Sequence, residues 1–179
     1  VSDKRGIIEL ATALIELDWE VLSTGGSSRV LRSAGIPVTD VKEVTKHDEI
    51  MEGRVKTLHP AIHAGILARR DNEMDLATLE SHGYGTIDLV AVNLYPFEET
   101  VSDSSVGMSQ AMAQVDVGGP TMLRAAAKNH KDVWVVVDPG DYGKLLESIR
   151  LGQEKTLEVR QDLARKVFDH LSNYDRAIS

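Results

Sequence analysis

Ile7, Leu10, Ala11, Leu14 and Leu17 recur at intervals of three and four residues, which lines one face of an amphipathic helix from Ile7 to near Asp18. WEVLST, from Trp19, is short, branched and apolar, and it runs into GGSS and then the helical RVLRSAG. That order predicts a strand, a glycine turn and a helix. IPVTDV, from Ile36, predicts the next strand. Between Lys42 and Arg70 the pattern loosens into a short polar helix around Asp48 to Met51, then GRVKTLHPAIHAG, with a helix from Pro60 where proline suits a first turn. A connection this long inside a compact domain is usually functional.

Leu76 to His82 predicts a helix stopped by Gly83, and IDLVAVNLYPF from Ile87 is an apolar strand with little alternation, as expected when both faces are covered. Met108 to Val115 predicts a helix, DVGGP a break, and TMLRAAAKN a second helix favoured by its three alanines. DVWVVVDP, centred on Val135, predicts a buried strand, with its helix over Asp141 to Ile149. Strands alternating with helices imply an α/β fold with three α/β/α layers around a mostly parallel, Rossmann-like sheet. Thr156 to about Ile178 predicts a charged helix with Leu157, Leu163, Val167, Phe168 and Leu171 as its apolar positions. It has no strand to serve. The reading is a domain over 1–152 and a helical extension over 153–179, leading toward a further domain. The opening VSDKRG resembles a strand-to-helix loop whose strand has mostly been cut away.

The chain has 179 residues, enough for one domain with a real core. Its formal charge of -8 argues against a general nucleic-acid or anionic-membrane binder, though it leaves room for a local basic pocket. Cysteine is absent, which excludes disulfides and thiolate chemistry and fits a cytoplasmic location. No apolar run reaches membrane-span length, and no signal peptide opens the chain.

In open α/β sheets, ligands bind beyond the carboxyl ends of the strands. Four loops there carry suggestive chemistry. Ser2-Asp3-Lys4 precedes a helix. Thr24-Gly25-Gly26-Ser27 joins strand to helix and could cradle a phosphate with backbone N–H groups and hydroxyls, although a glycine pair more often makes only a turn. Asn93 and Tyr95 emerge from the apolar strand, and either contact a heterocycle or cap the strand end. Asp116-Val117 opens a glycine-rich helix entrance, where the carboxylate is a cap or a base. Lys128, on that helix, is a surface charge or, if it faces the cleft, a proton donor. His59 and His63 have the spacing of a zinc pair, but no third ligand is evident and HPAIH lacks the glutamate of HExxH, so no metal is expected. Arg54 and Lys56 could converge on an anion, with the Thr57 hydroxyl beside them.

VSDKRG, LSTGGSS, GIPVTDV, GRVKTLHPAIHAGILARR, NLYPFEET, VDVGGPTMLRAAAKNHKDV and VVVDPGDY, in this order, resemble the N-terminal half of the bifunctional purine-biosynthesis enzymes that join IMP cyclohydrolase to AICAR transformylase. The terminal LARKVFDHLSNYDRAIS resembles the link into their transformylase half. The resemblance implies a methylglyoxal-synthase-like fold, with the strand ahead of Val1 central to it. It further implies dehydrative ring closure of formamidoimidazole carboxamide ribonucleotide (FAICAR) to IMP, no cofactor, a homodimer and a fused transformylase domain. It makes Lys128 the acid/base lysine, with Lys56, Tyr95 and Asp116 as catalytic companions. Ser2, Asp3, Lys4, Thr24, Gly25, Gly26, Ser27, Arg54, Thr57, Asn93 and Val117 match nucleotide-binding positions. Two departures stand out: TGGSS where the family often has TGGT, and Lys46-His47-Asp48 where it often has Gly-Phe-Pro. Methylglyoxal synthase shares the fold but leaves KTLHP and AAAKNH unexplained. A non-catalytic nucleotide-sensing module of this fold is the other alternative.

Overall fold

Val133, Val135 and Val137 face one apolar cluster and Trp134 and Val136 face another, so a single strand is buried on both sides. The computed structural model describes residues 1–95, 97, 106–152 and 156–179. Pro96 and residues 153–155, assigned above to a strand end and to the start of the extension, lie outside them. Among the described residues four strands form two parallel pairs: β1 (Leu22–Ser23) with β2 (Thr39–Asp40), and β3 (Leu89–Ala91) with β4 (Trp134–Val136). In register, Leu22 lies opposite Thr39 and Val90 opposite Val135.

The helices are α1 (Ile7–Ile15), α2 (Gly25–Ser33), α3 (Val41–Thr45), α4 (Pro60–Leu67), α5 (Glu73–His82), α6 (Met108–Ala113), α7 (Gly118–Lys128), α8 (Tyr142–Leu151) and α9 (Leu157–Ile178). One face of the β3–β4 pair meets residues from α4, α7 and α9, and the other meets Leu10 and Leu14 of α1 and Leu145 of α8. The expected α/β/α layering is therefore present.

The sheet differs from the expectation in one respect. The open edges of β1 and β3 do not pair but flank a slot of about 490 Å³, lined by Leu10, Leu14, Leu22, Leu31, Leu89 and Ala91. Among the described residues none fills the slot, and the strands stand as two parallel pairs rather than one sheet. The sequence expectation placed a strand ahead of Val1, and Val1 lines the same slot.

Several boundaries moved for identifiable reasons. Asp40 accepts from the Lys42 amide and Glu43 accepts from the Asp40 amide, so a capping box starts α3 where a strand was expected to continue. The polar helix expected around Asp48 to Met51 is absent. Instead Ile50 and Val55 form an antiparallel bridge around a tight turn in which Met51, Glu52 and Gly53 all take positive φ.

The C-terminal helix is part of the core rather than an appendage to it. Leu163, Val167, Leu171 and Tyr174 of α9 are buried, and α9 packs mainly on α7 and β4. Leu157 and Phe168, counted above as apolar-face positions, are exposed. At the first turn of α9 the buried Arg160 guanidinium lies 3.8 Å from the centre of the Trp134 ring.

Candidate functional site

The residues singled out in four separate loops meet at the C-terminal ends of β1 and β3. Asn93, buried just past β3, is the hub. Its Oδ1 accepts from the Ser2 amide at 2.6 Å and the Asp3 amide at 2.9 Å, and its Nδ2 donates to the Asp3 carbonyl at 3.0 Å. These bonds hold Ser2, Asp3 and Lys4 in place. On the other side, the Val1 amine donates to Ser27 Oγ at 3.1 Å and Ser27 Oγ donates to the Val1 carbonyl at 3.3 Å. Asn93→Ala removes three bonds from a buried hub and is expected to cost about 1–3 kcal/mol. Thermal unfolding checks it, and a Tm equal to the unsubstituted chain's would show that the hub contributes nothing.

The Thr24–Ser27 loop is the first turn of α2. Gly25 takes φ of 60°, a left-handed conformation that glycine adopts at no steric cost, and Thr24 stands at the N-cap with its side chain free of any capping bond. The first amides of a helix have no intrahelical acceptor and carry the positive end of its dipole. Two ammonium groups approach this turn. Lys56 Nζ lies 3.7 Å from where a Cβ on Gly25 would stand, and Lys4 Nζ lies 3.9 Å from the same point on Gly26. Positive potential from two side chains and a helix N-terminus therefore converges here in a chain of net negative charge. Beside it is a cavity of about 450 Å³ lined by Thr24, Gly25, Lys42, His47, Glu49 and Lys56. His47, one of the departures noted above, thus borders the site.

Asp116 and Val117 lie on the third side. Asp116 Oδ1 accepts from the Gly119 amide at 3.1 Å, capping the start of α7, and Val117 is exposed at the N-cap itself. Gly118 and Gly119 are small out of need. A Cβ on Gly118 would stand 2.7 Å from Thr57 Oγ1, and one on Gly119 would collide with the Asp116 carboxylate. Thr57 and Asp116 therefore share one cleft. Burial holds the Val1 amine below its usual range, Lys4 and Lys56 push it the same way and Asp116 opposes them, so all three charges bear on one point. Arg54 and Tyr95 are exposed.

Lys128 does not join this cluster. It is the exposed last residue of α7, whose first residue adjoins Thr57, and ten residues of helix separate the two ends by about 15 Å. A spacing of twelve residues from Asp116 gives proximity in a loop but not along a helix. The histidines also separate. His59 caps α4, its Nδ1 accepting from the Ala61 amide at 3.1 Å, whereas His63 lies inside that helix with Nε2 buried and unpaired. Among the described residues no group of three or more His, Cys, Asp or Glu side chains could hold a metal ion.

Two neighbours of these loops were not foreseen, both on α9. Tyr174 Oη accepts from the Asp116 amide at 2.8 Å, and His170 Nε2 accepts from the Leu94 amide at 3.4 Å. Their signal was the spacing Val167, His170, Leu171, Tyr174, which continues the buried face once Phe168 is set aside.

Burial depresses the pKa of both His63 and His170 from 6.5. Each therefore binds a proton more readily in the unfolded chain, and the stability it contributes is complete above the unfolded value and lost as pH falls from there through the folded value. Between pH 7 and 5 the Tm is expected to drop, and His170→Asn is expected to flatten that slope. A slope unchanged by the substitution would clear His170 of the effect.

Residues 6–121 match the family model of the MGS-like domain, and residues 126–179 match that of the AICARFT/IMPCHase bienzyme. This chain belongs to the MGS-like domain family. It is 52% identical over 178 residues to the bifunctional purine biosynthesis protein PurH of Staphylococcus carnosus and 51% identical over 179 residues to that of Anoxybacillus flavithermus. The alignments cover 99% and 100% of this chain but 36% and 35% of those proteins, so the chain spans about a third of their length, in the N-terminal part. The crystal structure of ForH superposes with a TM-score of 0.86 at 38% identity, covering 99% of this chain and 93% of that one. The second family match, to the bienzyme, includes all of α9. Among the described residues no helix is long and apolar enough to cross a membrane.

Proposed function

We propose that this chain carries an IMP cyclohydrolase site, closing the ring of FAICAR to give IMP with loss of water. The observation that carries the reading is the convergence of Lys4 and Lys56 on the first turn of α2, with the Asp116 carboxylate in the same cleft. A ribonucleotide monophosphate supplies the anion for the first and a reacting amide for the second.

Ring closure needs two proton movements. The carboxamide nitrogen attacks the formyl carbon and loses a proton as the new C–N bond forms, leaving a hydroxyl on that carbon. The hydroxyl then departs with a proton as water, while the formamido nitrogen gives up its hydrogen to form the C=N bond. In this reading Asp116 holds or deprotonates the carboxamide and Lys56 stabilises and protonates the oxygen, with Tyr95 assisting. Lys4, Thr24, Gly25, Gly26 and Ser27 hold the phosphate. Ser2, Asp3, Arg54, Thr57, Asn93 and Val117 bind the rest of the nucleotide. Lys128 ends α7, about 15 Å along the helix from the Asp116 end, so within one chain we assign the lysine chemistry to Lys56 and reserve the acid/base role of Lys128 for a site completed by a second copy. A cytoplasmic homodimer, joined to a transformylase domain in a longer chain, is the setting we propose for it.

The test is conversion of FAICAR to IMP, followed by absorbance, with Lys56→Ala and Lys128→Ala alongside. Turnover by the unsubstituted chain and a loss of about 100-fold or more in Lys56→Ala are expected, the scale of one positioned acid/base or oxyanion group. Loss of turnover in Lys128→Ala as well, with IMP binding intact, would show that the site takes a lysine from a second copy. IMP binding with no turnover in any variant would instead indicate a nucleotide-sensing module, and methylglyoxal formation from a triose phosphate a lyase.

A further inference from the structure

We infer that Tyr174 is a positioning residue for the site, setting the aim of the Asp116 carboxylate through the Asp116 backbone. The inference rests on the cyclohydrolase reading for its catalytic consequence, but not for its structural half.

Asp116 stands on a short irregular link between α6 and α7, and its side chain is exposed, so packing does not fix where the carboxylate points. Two hydrogen bonds do. Oδ1 is tied forward to the Gly119 amide at 3.1 Å, and the backbone amide is tied back to Tyr174 Oη at 2.8 Å. The first sets one oxygen and the second sets the peptide plane from which the side chain departs. The anchor is rigid because Tyr174 is 7% exposed, in the main core cluster with Leu171 and Val167 of its own helix. One turn earlier, His170 reaches the Leu94 amide, next to the Asn93 hub and Tyr95. A single helix face thus supports both loops that supply the non-phosphate side of the cleft. Catalytic groups must sit within fractions of an ångström of their working geometry, and a supporting hydrogen bond from a packed side chain is the usual way to hold them there.

Tyr174→Phe tests this, because it deletes one oxygen and keeps the buried ring. Three measurements are made on the full chain: exchange of the Asp116 amide proton by NMR, the kinetics of FAICAR cyclisation, and IMP affinity. Exchange at least 10-fold faster is expected, together with a kcat lowered at least fivefold at a KM within twofold, since binding does not depend on the carboxylate's aim. IMP affinity within threefold of the unsubstituted chain confirms that the pocket is intact. Unchanged exchange overturns the inference, and so does faster exchange with unchanged kcat, which would leave the bond structural only. Equal losses in kcat and IMP affinity overturn it too, as general loosening. If the unsubstituted chain shows no cyclisation, the cyclohydrolase reading fails and positioning for that reaction fails with it, whereas the exchange result still decides whether Tyr174 holds the Asp116 amide.

Discussion

Gly119→Ala is expected to disable the site and weaken the fold at once, although alanine is the better helix former by about 1 kcal/mol. The added methyl would collide with the Asp116 carboxylate and stand 2.9 Å from Leu94 Cδ2. Neither neighbour can yield freely. The carboxylate is held by the Gly119 amide itself, and Leu94 is buried beside the loop that carries Asn93. Forcing a methyl into a filled space typically costs about 1–3 kcal/mol, which for a domain of this size lowers Tm by several degrees, at roughly 2–4 °C per kcal/mol. The larger effect is on chemistry, because the group that moves is the proposed base, and a fall of about 100-fold in cyclisation is expected. Gly118→Ala is the comparison: its methyl crowds the Thr57 hydroxyl, 2.7 Å away and at the tip of a side chain, and meets Asp116 Oδ1 only at an ordinary contact distance of 4.0 Å. Turnover and Tm that stay at their original values in Gly119→Ala would mean that Asp116 does not need the place it occupies here.

The same two glycines illustrate what the chain discloses about itself. Their position after Asp116 marks a helix entrance, and the entrance is there, but that they are required to let Thr57 and Asp116 approach is a tertiary fact with no local trace. Periodicity located α1 and the valine-rich β4, because burial on one face or two leaves a regular mark. It misplaced the stretch around Asp48 to Met51, where polar residues of good helical propensity are bent into a turn and only Gly53 advertises positive φ. It left Lys128 open between a surface charge and a cleft-facing proton donor, and the helix puts it at the end away from Asp116. The grouping of Ser2, Thr24, Asn93 and Asp116 was legible because each falls at a strand's carboxyl end or a helix's start, where a parallel fold gathers its loops, whereas Lys56 sits in the irregular stretch before α4 and has no such mark. The share contributed by α9 was not, because a charged helix with no strand of its own has the composition of a linker.

Val167→Asp and Phe168→Asp put that last distinction to an experiment on adjacent residues of one helix. Val167 is 0% exposed and packs in the cluster that also holds Leu123, Val133 and Val135, whereas Phe168 is 47% exposed. A linker would tolerate either substitution. A core helix cannot take a carboxylate at Val167, because the charge would be buried with no cation or donor in its apolar surroundings, a defect of the class that costs about 3–5 kcal/mol or more. Set against the roughly 5–15 kcal/mol that separates folded from unfolded chains, this is expected to leave Val167→Asp largely unfolded near its working temperature, with far-UV circular dichroism and one-dimensional NMR reporting the loss. Phe168→Asp is expected to shift stability by no more than about 0.5 kcal/mol, as exposed positions do. Equal tolerance of both would detach α9 from the core and, with it, Tyr174 from Asp116. Intolerance at Val167 alone ties the folding of this domain to the helix whose next turn reaches into the site.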